Sequence, residues 1–220
     1  MSEFAAGPAG RIERVRALMV ERGYDAIVVR DEANLRWLTG VKGVFDYTFE
    51  FPHAAFITAD QCLFHTDSRY LNSFEENTPA GSPWVYDMDE GTIPGWVAGK
   101  IAANKCRVCA VEDDMQINFY QGIQRSLEDR SVACMLPLMH DDIRKMRAIK
   151  DAEEIELMRH AQSITDAAFQ HMLGFIKPGM TEKQVRNELE NFMFANGADS
   201  LAFGSIVASG PNTANPHAVP

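Results

Sequence analysis

The chain is poor in cysteine and in basic residues, and both shortages exclude classes of protein. Only 4 of its 220 residues are cysteine, too few for the disulfide framework of a small secreted domain. Its 21 lysine and arginine residues are outnumbered by 31 aspartate and glutamate residues, which gives a net charge of −10. Nucleic-acid binding needs clustered basic side chains, so we expect no nucleic-acid partner.

Long apolar runs are also missing. No stretch reaches the roughly 20 apolar residues that a membrane-spanning helix requires. The first ten residues have neither the basic nor the apolar segment of a secretion signal. From these observations we expect no membrane partner and a cytoplasmic location.

Several chemical motifs are absent, and one that is present is weak. The sequence contains no glycine-rich phosphate loop and no G-x-S-x-G nucleophile elbow. A Cys-x-x-Cys does occur at Cys106 and Cys109, where redox or zinc chemistry is the alternative to a structural role. Residues 107–111 are typical of a strand, whose side chains alternate, so the two thiols are predicted to face opposite ways. We therefore predict an ordinary reduced pair.

The first part of the chain alternates short apolar strands with amphipathic helices. Helices are predicted over residues 11–23, 32–38, 68–75, 93–103 and 117–127, and strands over residues 25–29, 54–58, 62–65, 84–86 and 107–112. This alternation is typical of an α/β fold with a largely parallel core. The acidic run Glu112–Asp114 is predicted to cap the helix that follows it, because acids favour helix N-termini.

The later part of the chain has a different pattern. Asp151 with Glu154, and Thr181 with Gln184, are capping-box signals that predict the starts of two longer helices. A short strand over residues 203–208 is then expected to lead into a polar loop. Because the pattern changes between Pro137 and Lys150, we predict two domains, residues 1–142 and residues 143–220.

Five segments, in this order, resemble motifs of the creatinase/prolidase/Xaa-Pro aminopeptidase superfamily. They are Asn-Leu-Arg-Trp-Leu-Thr-Gly at 34–40, Thr-Asp-Ser-Arg-Tyr at 66–70, the run at 143–159, Lys-Pro-Gly-Met-Thr-Glu at 177–182 and the Ser-Gly-Pro-Asn loop at 209–212. The resemblance implies a creatinase-type N-terminal domain with a mixed sheet flanked by helices. The first helices and strand of an incomplete pita-bread catalytic domain would follow. Asp67 and Arg69 of the second motif are expected to be structural, as a cap or ion pair.

The resemblance also implies an activity for the intact protein. Such enzymes hydrolyse Xaa-Pro peptide bonds with two divalent ions, here Mn, Co or Zn, and we expect a homodimer and a peptide substrate with proline at its second position. In the family the metal ligands lie downstream of the position that His217 matches. We therefore expect this chain to hold no cofactor itself and to be inactive alone.

His217 is the candidate catalytic and substrate-binding residue. An imidazole can hold or pass a proton near neutral pH, and Pro216 favours an extended conformation at Asn215. The matched position in the family contacts the substrate; the alternative is an ordinary loop histidine. Two other functions stay open: a creatinase-like hydrolase that is not a peptidase, and a non-catalytic binding or dimerisation module.

Overall fold

The computed structural model describes residues 7–42, 44–45, 52–88 and 91–220. The chain forms two compact units, Met1–Ile149 and Lys150–Pro220. In the described part of the chain, no helix combines the length and the apolar character needed to cross a membrane.

The first unit alternates helices and strands, as the sequence predicts. Its helices are α1 (Gly7–Arg22), α2 (Glu32–Thr39), α3 (Leu71–Asn77), α4 (Ile93–Ala103), α5 (Ile117–Asp129) and α6 (Asp142–Ala148). Its strands are β1 (Ala26–Val29), β2 (Ala54–Thr58), β3 (Cys62–His65), β4 (Val85–Tyr86) and β5 (Cys109–Val111).

The five strands form one mixed sheet in the order β4-β3-β2-β1-β5. The pairs β1–β2 and β2–β3 are antiparallel, whereas β1–β5 and β3–β4 are parallel. The α/β class and the mixed sheet are therefore confirmed. The expectation of a largely parallel core was wrong, because the tight turn between β2 and β3 forces those strands to run antiparallel.

Both faces of the sheet are covered by buried apolar side chains. Along β1, Ile27 and Val29 belong to a cluster with α1, α2 and α6, while Ala26 and Val28 face a second cluster with α4 and α5. This alternation follows from the pleat of the strand. The sheet thus carries a helical layer on each side.

The two cysteines of the Cys-x-x-Cys do not face opposite ways. Cys106 and Cys109 both lie in the apolar cluster beneath α4 and α5. The prediction was wrong because β5 begins only at Cys109, so Cys106 is not bound by strand alternation. Burial raises the pKa of Cys106 to about 11 and that of Cys109 well above its ordinary value, which keeps both thiols protonated and unreactive.

The second unit is helical. It contains α7 (Ala152–Phe175), α8 (Glu182–Ala195) and a 3₁₀ helix (Gly210–Ala214). Both predicted capping boxes are confirmed. The expected strand over residues 203–208 was wrong: no strand forms in residues 150–220, all of which the structure describes. A strand requires a hydrogen-bonded neighbour, and this unit offers none.

Helix α6 packs into the first unit, although it follows the boundary predicted after residue 142. Ile143 is 1% exposed and belongs to the core cluster of α1 and α2. Arg147 Nη1 donates a hydrogen bond to Asn34 Oδ1 of α2 (2.8 Å). These contacts show that residues 143–149 contribute to the folded first unit.

Residues 1–149 are expected to fold alone, since they have their own core and enough length to bury it. Ending the chain at residue 142 removes Ile143, whose full burial contributes about 2 kcal/mol. The shorter chain should melt cooperatively but at least roughly 5 °C lower. Thermal unfolding followed by circular dichroism checks this, and equal melting temperatures would show that the boundary lies before α6.

Candidate functional site

His217 lies on a short turn at the end of a hydrogen-bonded loop. The loop starts at Gly210, whose positive φ of 55° suits a residue without a Cβ. The backbone N–H of Ala218 donates to the carbonyl of Asn215 (3.1 Å), which closes a turn with Pro216 and His217 at its corners. Proline is favoured at the first of these corners because its φ is fixed.

The turn is anchored on one side and open on the other. Ala218 is buried, whereas its neighbour His217 is exposed. No side chain among the described residues hydrogen-bonds the His217 ring. The position of the imidazole is therefore set by the backbone of the turn, and its ring is exposed to solvent.

Glu182, the first residue of α8, ties this loop down. Its Oε1 accepts hydrogen bonds from the backbone N–H of Ser209 (2.6 Å) and from Asn212 Nδ2 (3.0 Å), and its Oε2 accepts from Asn212 Nδ2 (2.9 Å). Sequence reasoning did not identify Glu182 or Asn212 as site residues. The partners are separated by 27 and 30 positions, which no local pattern reveals.

His171 takes part in a separate contact between α7 and α8. Its Nε2 lies 2.7 Å from Glu188 Oε1, and its ring stacks on Phe192 with centroids 4.4 Å apart. The pair is half-buried and joins two helices. We interpret it as a structural contact.

The described residues do not form a metal centre. Within residues 7–42, 44–45, 52–88 and 91–220, no group of three or more His, Cys, Asp or Glu side chains is placed to hold an ion. Around the loop, His217 and Glu182 are the side chains of ligating type that the contacts above identify. The residues present therefore do not fit a pair of catalytic ions.

The first unit contains a buried carboxylate, Glu112, at a position that the sequence predicts to be part of a helix cap. Glu112 does not cap α5, whose N-cap is Gln116; it is 4% exposed at the carboxyl end of β5. Its Oε2 accepts from the backbone N–H groups of Arg30 (2.5 Å) and Asp31 (2.8 Å), and its Oε1 from Asn34 Nδ2 (2.7 Å). The helix-capping role of the acidic run Glu112–Asp114 was predicted from charge alone, and charge does not show which of the three side chains is buried.

Burial and hydrogen bonding act against each other at Glu112. Burial raises its pKa to about 7, because the charged form loses water, while the bonds from Asn34, Arg30 and Asp31 lower it. The network continues to Arg147, whose Nη1 bonds Asn34 Oδ1 (2.8 Å). Glu112 therefore links the ends of two adjacent parallel strands, β1 and β5, to α2 and α6.

Two cavities of about 230 and 260 Å³ flank this carboxylate. Both lie outside the carboxyl ends of β1 and β5, where ligands often bind in α/β sheets. Their linings mix acids and bases, including Arg30, Asp31 and Arg144. The buried carboxylate between them already accepts three hydrogen bonds, so we assign no ligand here.

The structural role expected of Asp67 and Arg69 is present. Asp67 Oδ2 lies 2.6 Å from Arg69 Nη2, and Asp67 Oδ1 accepts from the backbone N–H of Arg69 (2.9 Å). Hydrogen bonding to Arg69 lowers the pKa of Asp67. Arg69 is exposed and Asp67 is half-buried, and the pair orders the turn before α3.

The structure is that of an α/β protein, in which a mixed sheet with helices on both faces is followed by a helical unit whose last loop carries His217. Residues 11–149 match the family model of the Creatinase/Prolidase N-terminal domain, and residues 156–220 match that of Metallopeptidase family M24. Because the first match spans more than half of the chain, the chain belongs to the creatinase/prolidase family.

Individual relatives agree. An uncharacterized peptidase of Bacillus subtilis is 31% identical over 216 residues, which cover 95% of this chain and 56% of that protein. An Xaa-Pro dipeptidase of Pyrococcus furiosus is 40% identical over 79 residues, 36% of this chain and 23% of that protein.

Solved structures show the same fold. An Xaa-Pro dipeptidase from Bacillus anthracis superimposes with a TM-score of 0.80 at 31% identity, over 95% of this chain and 55% of that one. An X-Pro aminopeptidase from Thermotoga maritima gives 0.77 at 27% identity, over 94% and 55%. The chain thus spans about half the length of the relatives that it matches along nearly its whole length.

Proposed function

We propose that this chain forms the N-terminal part of a peptidase that hydrolyses Xaa-Pro peptide bonds. The observation that carries the proposal is the likeness, along 95% of the chain and at 31% identity, to an Xaa-Pro dipeptidase structure. The substrate class proposed is a peptide with proline at its second position. The proposal is tested by assaying such a peptide with the longer protein, meaning the proposed full-length peptidase of which this chain would be the N-terminal part.

His217 is proposed to contact the substrate. Its turn presents an exposed imidazole on an ordered loop. There the ring donates a hydrogen bond to the carbonyl oxygen as negative charge develops on it during attack by water. A donor already in place gains strength as that charge grows, which is how such groups lower the barrier. The hydrogen-bonded turn holds the backbone of His217 in place. Little conformational entropy of the backbone is therefore lost when the ring contacts the substrate.

Two divalent ions, Mn, Co or Zn, are proposed for the longer protein, as the metallopeptidase family match supports. Such ions would polarise the scissile carbonyl and activate a water. The described residues do not fit a metal pair, and the ligands of these ions are proposed to lie outside the 220 residues. The 220 residues alone are proposed to be inactive.

A homodimer and a cytoplasmic location complete the proposal. Four free cysteines, three of them buried, are compatible with a reducing compartment. Sedimentation of the longer protein tests the first statement, and fractionation of cells tests the second.

The two alternatives can be separated from the peptidase by substrate. A creatinase-like hydrolase would turn over a small guanidino compound such as creatine but leave Xaa-Pro peptides intact. A binding module would retain peptides in a pull-down and turn over neither compound.

The 220-residue chain is expected to bind no pair of divalent ions. Calorimetric titration with Mn²⁺ or Co²⁺, after dialysis against a chelator, should show no stoichiometric site. Two tightly held ions per chain would overturn the expectation and place the metal ligands within these residues. The longer protein, titrated in parallel, is the positive control.

A further inference from the structure

The carboxylate of Glu182 points away from its own helix and towards the loop that carries His217. An acid in the first turn of a helix usually complements the helix's own free N–H groups. In α8 that task is done by Thr181 and Gln184, which form a complete capping box. Glu182 is therefore free to bond another segment, and it accepts hydrogen bonds from Ser209 and Asn212 instead.

A continuous series of hydrogen bonds runs from Glu182 to the His217 turn. Asn212 Nδ2 donates hydrogen bonds to both carboxylate oxygens of Glu182. Asn212 Oδ1 in turn accepts a hydrogen bond from Asn215 Nδ2 (3.2 Å). The backbone N–H of Asn215 donates to the carbonyl of Asn212 (3.0 Å), and the carbonyl of Asn215 accepts from Ala218 (3.1 Å). Each link fixes the next, and the last one closes the turn that presents His217.

The chemistry of the links explains why these residue types are needed. A carboxylate makes shorter and stronger hydrogen bonds than a neutral acceptor, and Glu182 uses both of its oxygens on one amide. Asn212 must donate to Glu182 and accept from Asn215 at once, which an amide can do and a carboxylate cannot. An aspartate at this position would instead set two negative charges against each other.

We propose that Glu182 is a positioning residue for His217, acting through Asn212 and Asn215. Glu182 itself touches no substrate; it fixes the place and orientation of the turn. The reason this placement matters rests on the proposed function, in which His217 contacts the substrate. The hydrogen-bond series does not rest on it.

Nuclear magnetic resonance of the 220-residue chain tests the positioning directly. In Glu182→Ala, the backbone N–H of Ser209 should exchange with solvent roughly tenfold faster or more, because it loses its charge-assisted bond to the carboxylate. Asn212→Asp should have a similar effect, because it sets a second carboxylate against Glu182. In both variants the N–H of Ala218, whose acceptor is the carbonyl of Asn215, should also exchange faster, because the turn is no longer fixed through Asn212. The His217 ring resonance should move towards that of an unstructured peptide. Glu190→Gln is the matched control, because it removes a charge from the same helix at a residue that pairs with Arg186 (4.0 Å).

Thr181→Ala separates loop positioning from helix stability, since it weakens the cap of α8 without removing the bonds of Glu182 to the loop. Loop exchange and the His217 signal should stay close to those of the unmodified chain in Thr181→Ala and Glu190→Gln. An unchanged loop in Glu182→Ala, or equal changes in all four variants, would overturn the proposal.

Kinetics of the longer protein supply a second test. If Glu182 acts through His217, then Glu182→Ala should lower kcat but should add nothing further in a protein that already carries His217→Ala. Losses that multiply in the double variant would contradict the proposal. An unmodified protein without peptidase activity would contradict the proposed function instead, and the resonance experiment would still decide the positioning.

Discussion

Replacing His217 with alanine in the longer protein is expected to lower turnover of an Xaa-Pro peptide by about 100- to 1,000-fold. That is the typical loss when one donor to a developing oxyanion is removed. Folding should be nearly unaffected, because the side chain is exposed and its truncation leaves no core cavity. Steady-state kinetics, with melting temperature and metal content measured on the same samples, give the result.

His160→Ala is the matched control for this experiment. His160 is another exposed histidine, on α7, and its loss should leave turnover unchanged. Unaltered turnover in His217→Ala, or a loss that only follows unfolding, would remove His217 from the mechanism. It would then be an ordinary loop histidine.

Replacing Glu112 with alanine is expected to destabilise the first unit by about 3 to 4 kcal/mol. The change leaves the backbone N–H groups of Arg30 and Asp31 and the side chain of Asn34 without their acceptor. A buried donor left unsatisfied costs about 1 to 3 kcal/mol, and the low end of that range applies here because two of the three hydrogen bonds are only part-buried. Denaturant unfolding at pH 6 measures the effect. Asp114→Ala, an exposed neighbour, should stay within about 0.5 kcal/mol of the unmodified chain.

The pH dependence of stability provides a check on the same residue. Burial raises the pKa of Glu112 from 4.5 to about 7, so the folded chain binds more protons than the unfolded chain between those values. The stabilising contribution of Glu112 is therefore complete below pH 4.5 and is lost as the pH rises through 7. Between pH 4.5 and 7, the free energy of unfolding of the unmodified chain should fall by up to roughly 3 kcal/mol relative to that of Glu112→Gln.

His53 changes the free energy of unfolding in the opposite direction over nearly the same range of pH. Burial lowers its pKa to about 4, so its contribution is present above pH 6.5 and is lost as the pH falls towards 4. Because His53 is the same in both proteins, subtracting the Glu112→Gln curve isolates Glu112. Parallel curves for the two proteins would show that Glu112 titrates at its ordinary pKa.

Local patterns in the sequence were enough to predict most elements of the fold. The hairpin strands Ala54–Thr58 and Cys62–His65 and the helix Ile93–Ala103 have the predicted bounds. Both capping boxes were predicted because each depends on residues three positions apart. The sheet order was not predicted, since it depends on pairing between distant strands.

Features that depend on distant neighbours were missed or misassigned. The sequence predicts Glu112 to be part of a helix cap, whereas its hydrogen-bond partner Asn34 lies 78 positions away. The apolar character of residues 203–208 predicts a strand, but a strand exists only where another strand pairs with it. The role of Glu182 was not predicted for the same reason, because its hydrogen-bond partners belong to a loop that follows α8.

The most direct test of the account is hydrolysis of two matched dipeptides by the longer protein. One has proline at the second position and the other has alanine there, and both are assayed with Mn²⁺ or Co²⁺ and again with a chelator. We expect metal-dependent release of the first amino acid from the Xaa-Pro dipeptide and far slower release from the Xaa-Ala dipeptide. Absence of turnover on the Xaa-Pro dipeptide in the presence of either ion would contradict the account.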